Sequence, residues 1–163
     1  MKTLYMVGGP MGVGKTAVCR ELQKRLDRCV FLDGDWCWDS SPFQVTEETC
    51  AMVTENICFL LNQFLRCPAY DHVVFCWVLH RQEILDGLLS RLDTCRVRAV
   101  SLVCSEEALR HRLEEDIRDG KRLPDVIKRS MDYLPLYWEL STRRLDTTSL
   151  TPAQAAEQIL AWR

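Results

Sequence analysis

The chain has 163 residues, of which 47% are hydrophobic, including five Trp, five Phe and four Tyr, and its formal net charge is −2. That length and apolar content suit one domain, residues 1–163, with a substantial core. The charge argues against a nucleic-acid-binding surface over the whole molecule, and no apolar run is long enough to cross a membrane. The first element is the apolar run Leu4–Val7, short and continuous as a buried parallel strand should be. It leads into Gly9-Pro10-Met11-Gly12-Val13-Gly14-Lys15-Thr16, which fits G-x-x-x-x-G-K-[ST] without a mismatch. Thr16–Leu26 follows as an amphipathic helix, with Val18, Leu22 and Leu26 four residues apart. Strand, glycine loop and helix form the setting in which this motif cradles a nucleoside triphosphate. Backbone N–H groups of Gly9, Met11, Gly12, Val13, Gly14, Lys15, Thr16 and Ala17 are candidates to line the phosphates. Lys15 reaches the β- and γ-phosphates, and the Thr16 hydroxyl ligates Mg²⁺. The competing reading is an ordinary glycine-rich turn.

The remaining elements alternate. Val30–Leu32 reads as a second strand and ends at Asp33-Gly34-Asp35-Trp36. Thr46–Phe64 reads as a long helix with Thr46 as its N-cap. Val73–Leu79 is a third strand, Glu83–Leu92 a helix and Val97–Val103 a fourth strand. Ser105 caps a helix to about Ile117. Asp119–Pro124 breaks the pattern, Asp125–Leu140 resumes it, and Leu145–Thr147 is a short fifth strand. Thr151-Pro152-Ala153-Gln154 opens the last helix with a capping-box pattern. Strands separated by helices predict an α/β three-layer sandwich around a central five-stranded parallel sheet, with ligands at the carboxyl ends of the strands.

The nine cysteines are odd in number and contain no C-x-x-C pair. Most lie in apolar runs, so they read as reduced core residues of a cytoplasmic protein rather than a disulfide framework or a zinc site. No signal peptide is expected, because the N-terminal apolar run is short and carries the glycine loop.

Asp33 and Asp35 flank a glycine at the sheet edge where ligands are expected. Phosphoryl transfer needs a metal near the β- and γ-phosphates and a group to receive the acceptor's proton, and the two carboxylates could divide these tasks. An Asp-Gly turn with capping carboxylates is the plainer alternative. Gly9–Thr16 followed by Leu32-Asp33-Gly34-Asp35 resembles the small P-loop kinases: gluconate, shikimate and adenylylsulfate kinases, antibiotic phosphotransferases and nucleoside monophosphate kinases. The resemblance implies the P-loop-containing nucleoside triphosphate hydrolase fold with a short lid, and ATP and Mg²⁺ as cofactors. Asp33 would lie in the magnesium shell and Asp35 would hold and activate the acceptor hydroxyl. The basic break at about 118–124 would be the lid, with Arg118 and Arg122 gripping the transferring phosphate. Arg112 would contact adenine or support the lid, and the segment with Arg144 would lie against the adenine. The helix at about 46–66 would form an acceptor wall.

Two motifs of other P-loop proteins are missing. The third strand ends without the Asp of a typical Walker B motif, and no Asn-Lys-x-Asp guanine-selective motif is present, which disfavours motor ATPases and GTPases. For the acceptor, Trp36, Trp38, Phe43 and Trp77 cluster on the expected side, with His80 and Arg81 beyond the third strand. Trp36, Trp77 and Arg81 are the candidate substrate contacts, and core filling is the alternative for each Trp. Aromatic faces with one Arg suit a nucleoside or nucleotide. The rival acceptor is a non-nucleotide alcohol such as an antibiotic or sugar acid. From other classes come a non-catalytic ATP-binding regulatory module and a toxin-like kinase of a sugar nucleotide. A small-molecule acceptor, no nucleic acid, no membrane and a monomer or homodimer complete the expectation.

Overall fold

A computed structural model describes residues 1–162. Five parallel strands, β1 (Thr3–Gly8), β2 (Cys29–Asp33), β3 (His72–Cys76), β4 (Arg96–Val103) and β5 (Arg143–Asp146), form one sheet in the order β2-β3-β1-β4-β5. Six α-helices connect and cover them: α1 (Lys15–Arg25), α2 (Glu47–Arg66), α3 (Gln82–Leu89), α4 (Glu106–Arg118), α5 (Val126–Tyr133) and α6 (Pro152–Ala161).

Successive side chains of a strand point to opposite faces, and β1 shows the consequence. Leu4 and Met6 enter one core with Val53, Ile57 and Leu61 of α2 and Leu85 and Leu88 of α3. Tyr5 and Val7 enter the other, with Val18 and Leu22 of α1, Leu109 and Leu113 of α4, and Ala156 and Ile159 of α6. Both faces of the central strands are covered, which is why they read as continuous apolar runs.

Local chemistry sets the helix ends. Thr46 caps α2 and Thr151 caps α6, each with both bonds of a capping box, and Ser105 Oγ accepts from the Ala108 amide to start α4. The expected helix over 125–140 divides instead. Its α-helical part ends at Tyr133, and Leu134–Glu139 tightens into a 3-10 turn with Pro135 in its first turn, because a proline ring obstructs the preceding helical turn. The third strand is also shorter than expected. It stops at Cys76, and Leu79 adopts a left-handed φ of 45°, a conformation no strand residue holds. The cysteines are less internal than their neighbours suggested. Cys19, Cys58, Cys76 and Cys104 are buried, Cys50 is exposed and the others are intermediate, and all are free.

The connections leaving β1 and β3 run in opposite directions across the sheet, which opens a crevice beyond their carboxyl ends. The glycine loop, the Asp33–Asp35 corner and the segment 77–80 all converge there.

Candidate active site

The glycine loop joins β1 to α1. Gly12 has φ +83°, and a Cβ on it would lie 2.4 Å from Leu113 Cδ2. Glycine is required there both for the left-handed turn and for the close approach of α4. Gly14, also left-handed, stands at the N-cap of α1, which has no side-chain cap and no acidic residue in its first turn. The first amides of a helix have no intrahelical acceptors and carry its positive end. This helix supplies no side chain of its own to that end. Lys15 lies back along the loop, with Nζ donating to the Gly9 carbonyl at 2.8 Å and the Pro10 carbonyl at 3.0 Å. Burial depresses its pKa, opposed in part by Cys76, Asp35 and Asp33.

β2 delivers the carboxylates. Thr16 Oγ1 donates to Asp33 Oδ2 at 3.1 Å, and Asp33 Oδ1 accepts from the Asp35 amide at 2.9 Å. Asp33 thus joins the start of α1 to the corner that carries Asp35. The hydroxyl and carboxylate oxygens of Thr16 and Asp33 are hard donors suited to Mg²⁺, which prefers a few such ligands together with phosphate and water. The Asp35 carboxyl is raised above the ordinary aspartate range, first by enclosure in protein and then by the Asp33 charge. Lys15, Arg122 and the Trp77 indole act in the opposite direction.

Asp35 opens into a cavity of about 550 Å³, within the range of roughly 300–1,000 Å³ common for small-molecule sites. Its aromatic walls are Trp38, Phe43, Trp77, Tyr133 and His80. Trp38 meets Phe43 and Trp77 edge to face, with centroids 4.8 and 5.9 Å apart. Helix α2 contributes only Cys50 to this lining, while Asp39, Ser40, Phe43 and Val45 come from the segment before it.

Two expected substrate contacts lie elsewhere. Trp36 is exposed and packs on Phe31 beneath the Arg20 guanidinium, on the side of α1. Arg81 is the exposed N-cap position of α3 and does not line the cavity. The cation in the lining is Arg129 of α5. By position in the sequence, a Trp beside the carboxylate corner and an Arg following a strand both suit a ligand site. However, the 3-10 turn over Gly34–Trp38 turns Trp36 outward and Trp38 inward.

The basic residues also separate. Arg112 donates to the Val13 carbonyl at 3.1 Å and the Thr147 carbonyl at 2.9 Å, tying α4 to the glycine loop and to the turn after β5. Arg122 pairs with Asp116 at 3.1 Å, and its charge is felt by both Lys15 and Asp35. Arg118 is exposed beside Glu114, Ile117 and Ile127. Arg144 lies inside β5, paired with Ser101 and set over the Trp138 ring at 5.9 Å, so the segment expected against adenine is an edge strand. Ser130, fully buried on α5, was not anticipated. Its hydroxyl donates to the Met11 carbonyl at 2.6 Å.

The parallel sheet order and its flanking helices are the fold of the small P-loop kinases. Residues 6–131 match the AAA domain family, and the chain belongs to that family. Among solved structures it is similar to the Deinococcus radiodurans tunicamycin resistance protein, at 22% identity and a TM-score of 0.76 over 99% of this chain and 95% of that one. It is also similar to a gluconokinase from Sinorhizobium meliloti, at 20% identity and a TM-score of 0.72 over 98% and 90%. A shikimate kinase from Acinetobacter baumannii, in complex with shikimate, gives 24% identity and a TM-score of 0.62 over 98% and 91%. No curated protein matches the chain.

Proposed function

We propose that the chain is an ATP-dependent, Mg²⁺-requiring phosphotransferase that moves the γ-phosphoryl group to a hydroxyl of a small-molecule acceptor, a nucleoside or nucleotide by class. The observation that carries this reading is the run of contacts from Thr16 through Asp33 to Asp35, at the mouth of an uncapped helix and on the wall of a cavity. Mg²⁺, held from Thr16 and Asp33 when bound, would neutralise charge on the phosphates. The loop amides and Lys15 bind the triphosphate and hold it in line with the acceptor. Asp35 orients the acceptor hydroxyl and takes its proton as the new oxygen–phosphorus bond forms and the bond to the β–γ bridging oxygen breaks, releasing ADP. Arg122 supplies charge to the transferring group from the lid at about 118–124, and that closure excludes water.

On this reading residues 1–163 act as one domain, as a monomer or homodimer. The free cysteines suit the reducing cytoplasm, and no described helix is long and apolar enough to cross a membrane. The aromatic lining also suits a non-nucleotide alcohol. The acceptor screen therefore includes gluconate, shikimate and tunicamycin, for which the similar structures are named.

Calorimetry with MgATP and phosphorus NMR of ATP mixed with each acceptor test the proposal. Binding of MgATP that is lost in Lys15→Ala, with transfer to at least one acceptor, is the expected result. Absence of MgATP binding by the unaltered protein overturns it.

A further inference from the structure

The segment between β3 and α3 is held in a shape its residues would not adopt alone. Leu79 has a φ of 45°, and a left-handed non-glycine residue is strained and persists only where its surroundings impose it. They do so here. The Trp77 amide donates to the Val7 carbonyl at 3.2 Å. The Val78 carbonyl accepts from the Gly9 amide at 3.2 Å and from the Tyr137 hydroxyl at 2.7 Å. The bend presents Trp77 and His80 to the cavity from the same short stretch.

His80 stacks on Tyr133, with ring centroids 4.4 Å apart and an interplanar angle of 14°. Its Nδ1 is buried without a hydrogen-bond partner among the described residues. A buried polar atom left unpaired is costly unless a ligand or water completes it. Burial, aided by the Arg81 charge, holds the imidazole below its usual pKa. His80 is one of the residues that line the cavity, and its neutral imidazole donates or accepts according to tautomer.

The charges of the lining favour a particular acceptor. Asp35 and Asp39 contribute two carboxylates against the single cation of Arg129 in the lining, all three of them exposed. Asp33 stands directly behind Asp35. Lys15 and Arg122 also act on Asp35, but in the reading above they are engaged by the triphosphate. A phosphate or carboxylate in the acceptor cavity would therefore face Asp35 and Asp39, and a polyol would leave hydroxyls against Trp38, Phe43 and Trp77.

Resting on the phosphotransferase reading above, we infer that the acceptor is an uncharged nucleoside-like alcohol, its planar heteroaromatic ring lodged among Trp38, Phe43, Trp77 and Tyr133 and its edge hydrogen-bonded to His80 Nδ1, with the reacting hydroxyl at Asp35. His80 is then a specificity-determining residue, and nucleoside monophosphates are excluded as acceptors.

The test measures ADP release and phosphorus NMR with MgATP and three sets of acceptors: the common nucleosides, their 5′-monophosphates, and gluconate. Transfer to a nucleoside is expected, with the matching monophosphate and gluconate at least about tenfold poorer in kcat/KM. His80→Phe keeps the stack on Tyr133 and removes Nδ1. It should raise KM for that nucleoside about tenfold, as for one lost hydrogen bond, while MgATP affinity is retained. His80→Asn, whose amide can stand near Nδ1, should recover part of the loss. Faster transfer to a monophosphate or gluconate overturns the acceptor inference and leaves the phosphotransferase reading intact, as does an unchanged KM in His80→Phe. MgATP binding without transfer to any member of the panel also overturns the inference. Failure to bind MgATP at all overturns the phosphotransferase reading and the inference with it. The wild-type comparison stands even if a variant misfolds.

Discussion

Gly34 and Trp77 are in such close contact that a Cβ on Gly34 would lie 2.6 Å from Trp77 Cγ and 2.7 Å from Cδ1. The glycine between the two aspartates is therefore a seat for the indole that walls the cavity proposed to hold the acceptor. Gly34→Ala must displace Trp77 or the corner, and overpacking of this kind costs about 1–3 kcal/mol. Thermal melting should show the loss, and acceptor KM should rise while MgATP affinity changes little, since the loop and Lys15 are untouched. Unchanged melting and unchanged acceptor kinetics would show that the contact is relieved at no cost.

Asp35 should give the pH–rate profile its acid limb. In the proposed role the group works as a carboxylate, so activity falls as pH drops through its pKa, and that pKa lies above the ordinary aspartate value of about 3.9 because of enclosure and the nearby Asp33. Asp35→Asn should cut kcat by roughly 10²–10⁴ and abolish that limb. Stability should move the other way. With its folded pKa raised, Asp35 binds its proton more readily folded than unfolded, so its contribution to stability is present at low pH and is lost as pH rises through the folded pKa. At neutral pH the ligand-free Asp35→Asn protein should therefore melt higher than wild type, in the manner of sites that give up stability for activity. A wild-type rate in this variant removes Asp35 from the reaction.

Arg122 and Arg118 were equal candidates by sequence, and the structure separates them. Arg122 is half-buried, anchored to Asp116, and within electrostatic reach of Lys15 and Asp35, whereas Arg118 is exposed at the end of α4. Arg122→Ala should lower kcat by at least about tenfold, the loss expected when charge stabilisation of a transferring phosphoryl group is removed. Arg118→Ala should have a smaller effect. Steady-state kinetics with saturating MgATP distinguishes them, and equal losses would mean that closure brings Arg118 inward.

The glycine loop, the five strands and the capped starts of α2, α4 and α6 were legible because they depend on local chemistry: left-handed glycines, apolar runs and Ser or Thr caps. The carboxylate corner was legible as a pattern. Which aromatic enters the cavity was not, because that depends on a 3-10 turn one residue past Asp33 and on the left-handed bend at Leu79. Trp36 and Trp38 are equivalent in composition and opposite in direction. Arg129 was hidden for a related reason, and Tyr133 reads from sequence as helix packing rather than as a cavity wall. They belong to a helix whose position is set by tertiary contact with the glycine loop, and periodicity alone reported only an amphipathic segment.

That contact supplies the last prediction. Ser130 is fully buried and donates to the Met11 carbonyl at 2.6 Å. Met11 belongs to the glycine loop and also lines the cavity proposed for the acceptor. One hydroxyl thus fixes α5, with Arg129 and Tyr133, against the loop expected to hold ATP. Ser130→Ala leaves the carbonyl unpaired in the interior, at a cost of about 1–3 kcal/mol, or some 2–4 °C of melting temperature per kcal/mol for a domain of this size. Because the bond joins the two halves of the site, acceptor KM and MgATP affinity should both weaken in this variant, whereas Gly34→Ala should affect the acceptor alone. Saturating MgATP should raise the melting temperature of Ser130→Ala less than that of wild type. An equal ligand-induced shift in the two proteins would mean that α5 is held to the loop by apolar packing, with the hydroxyl incidental.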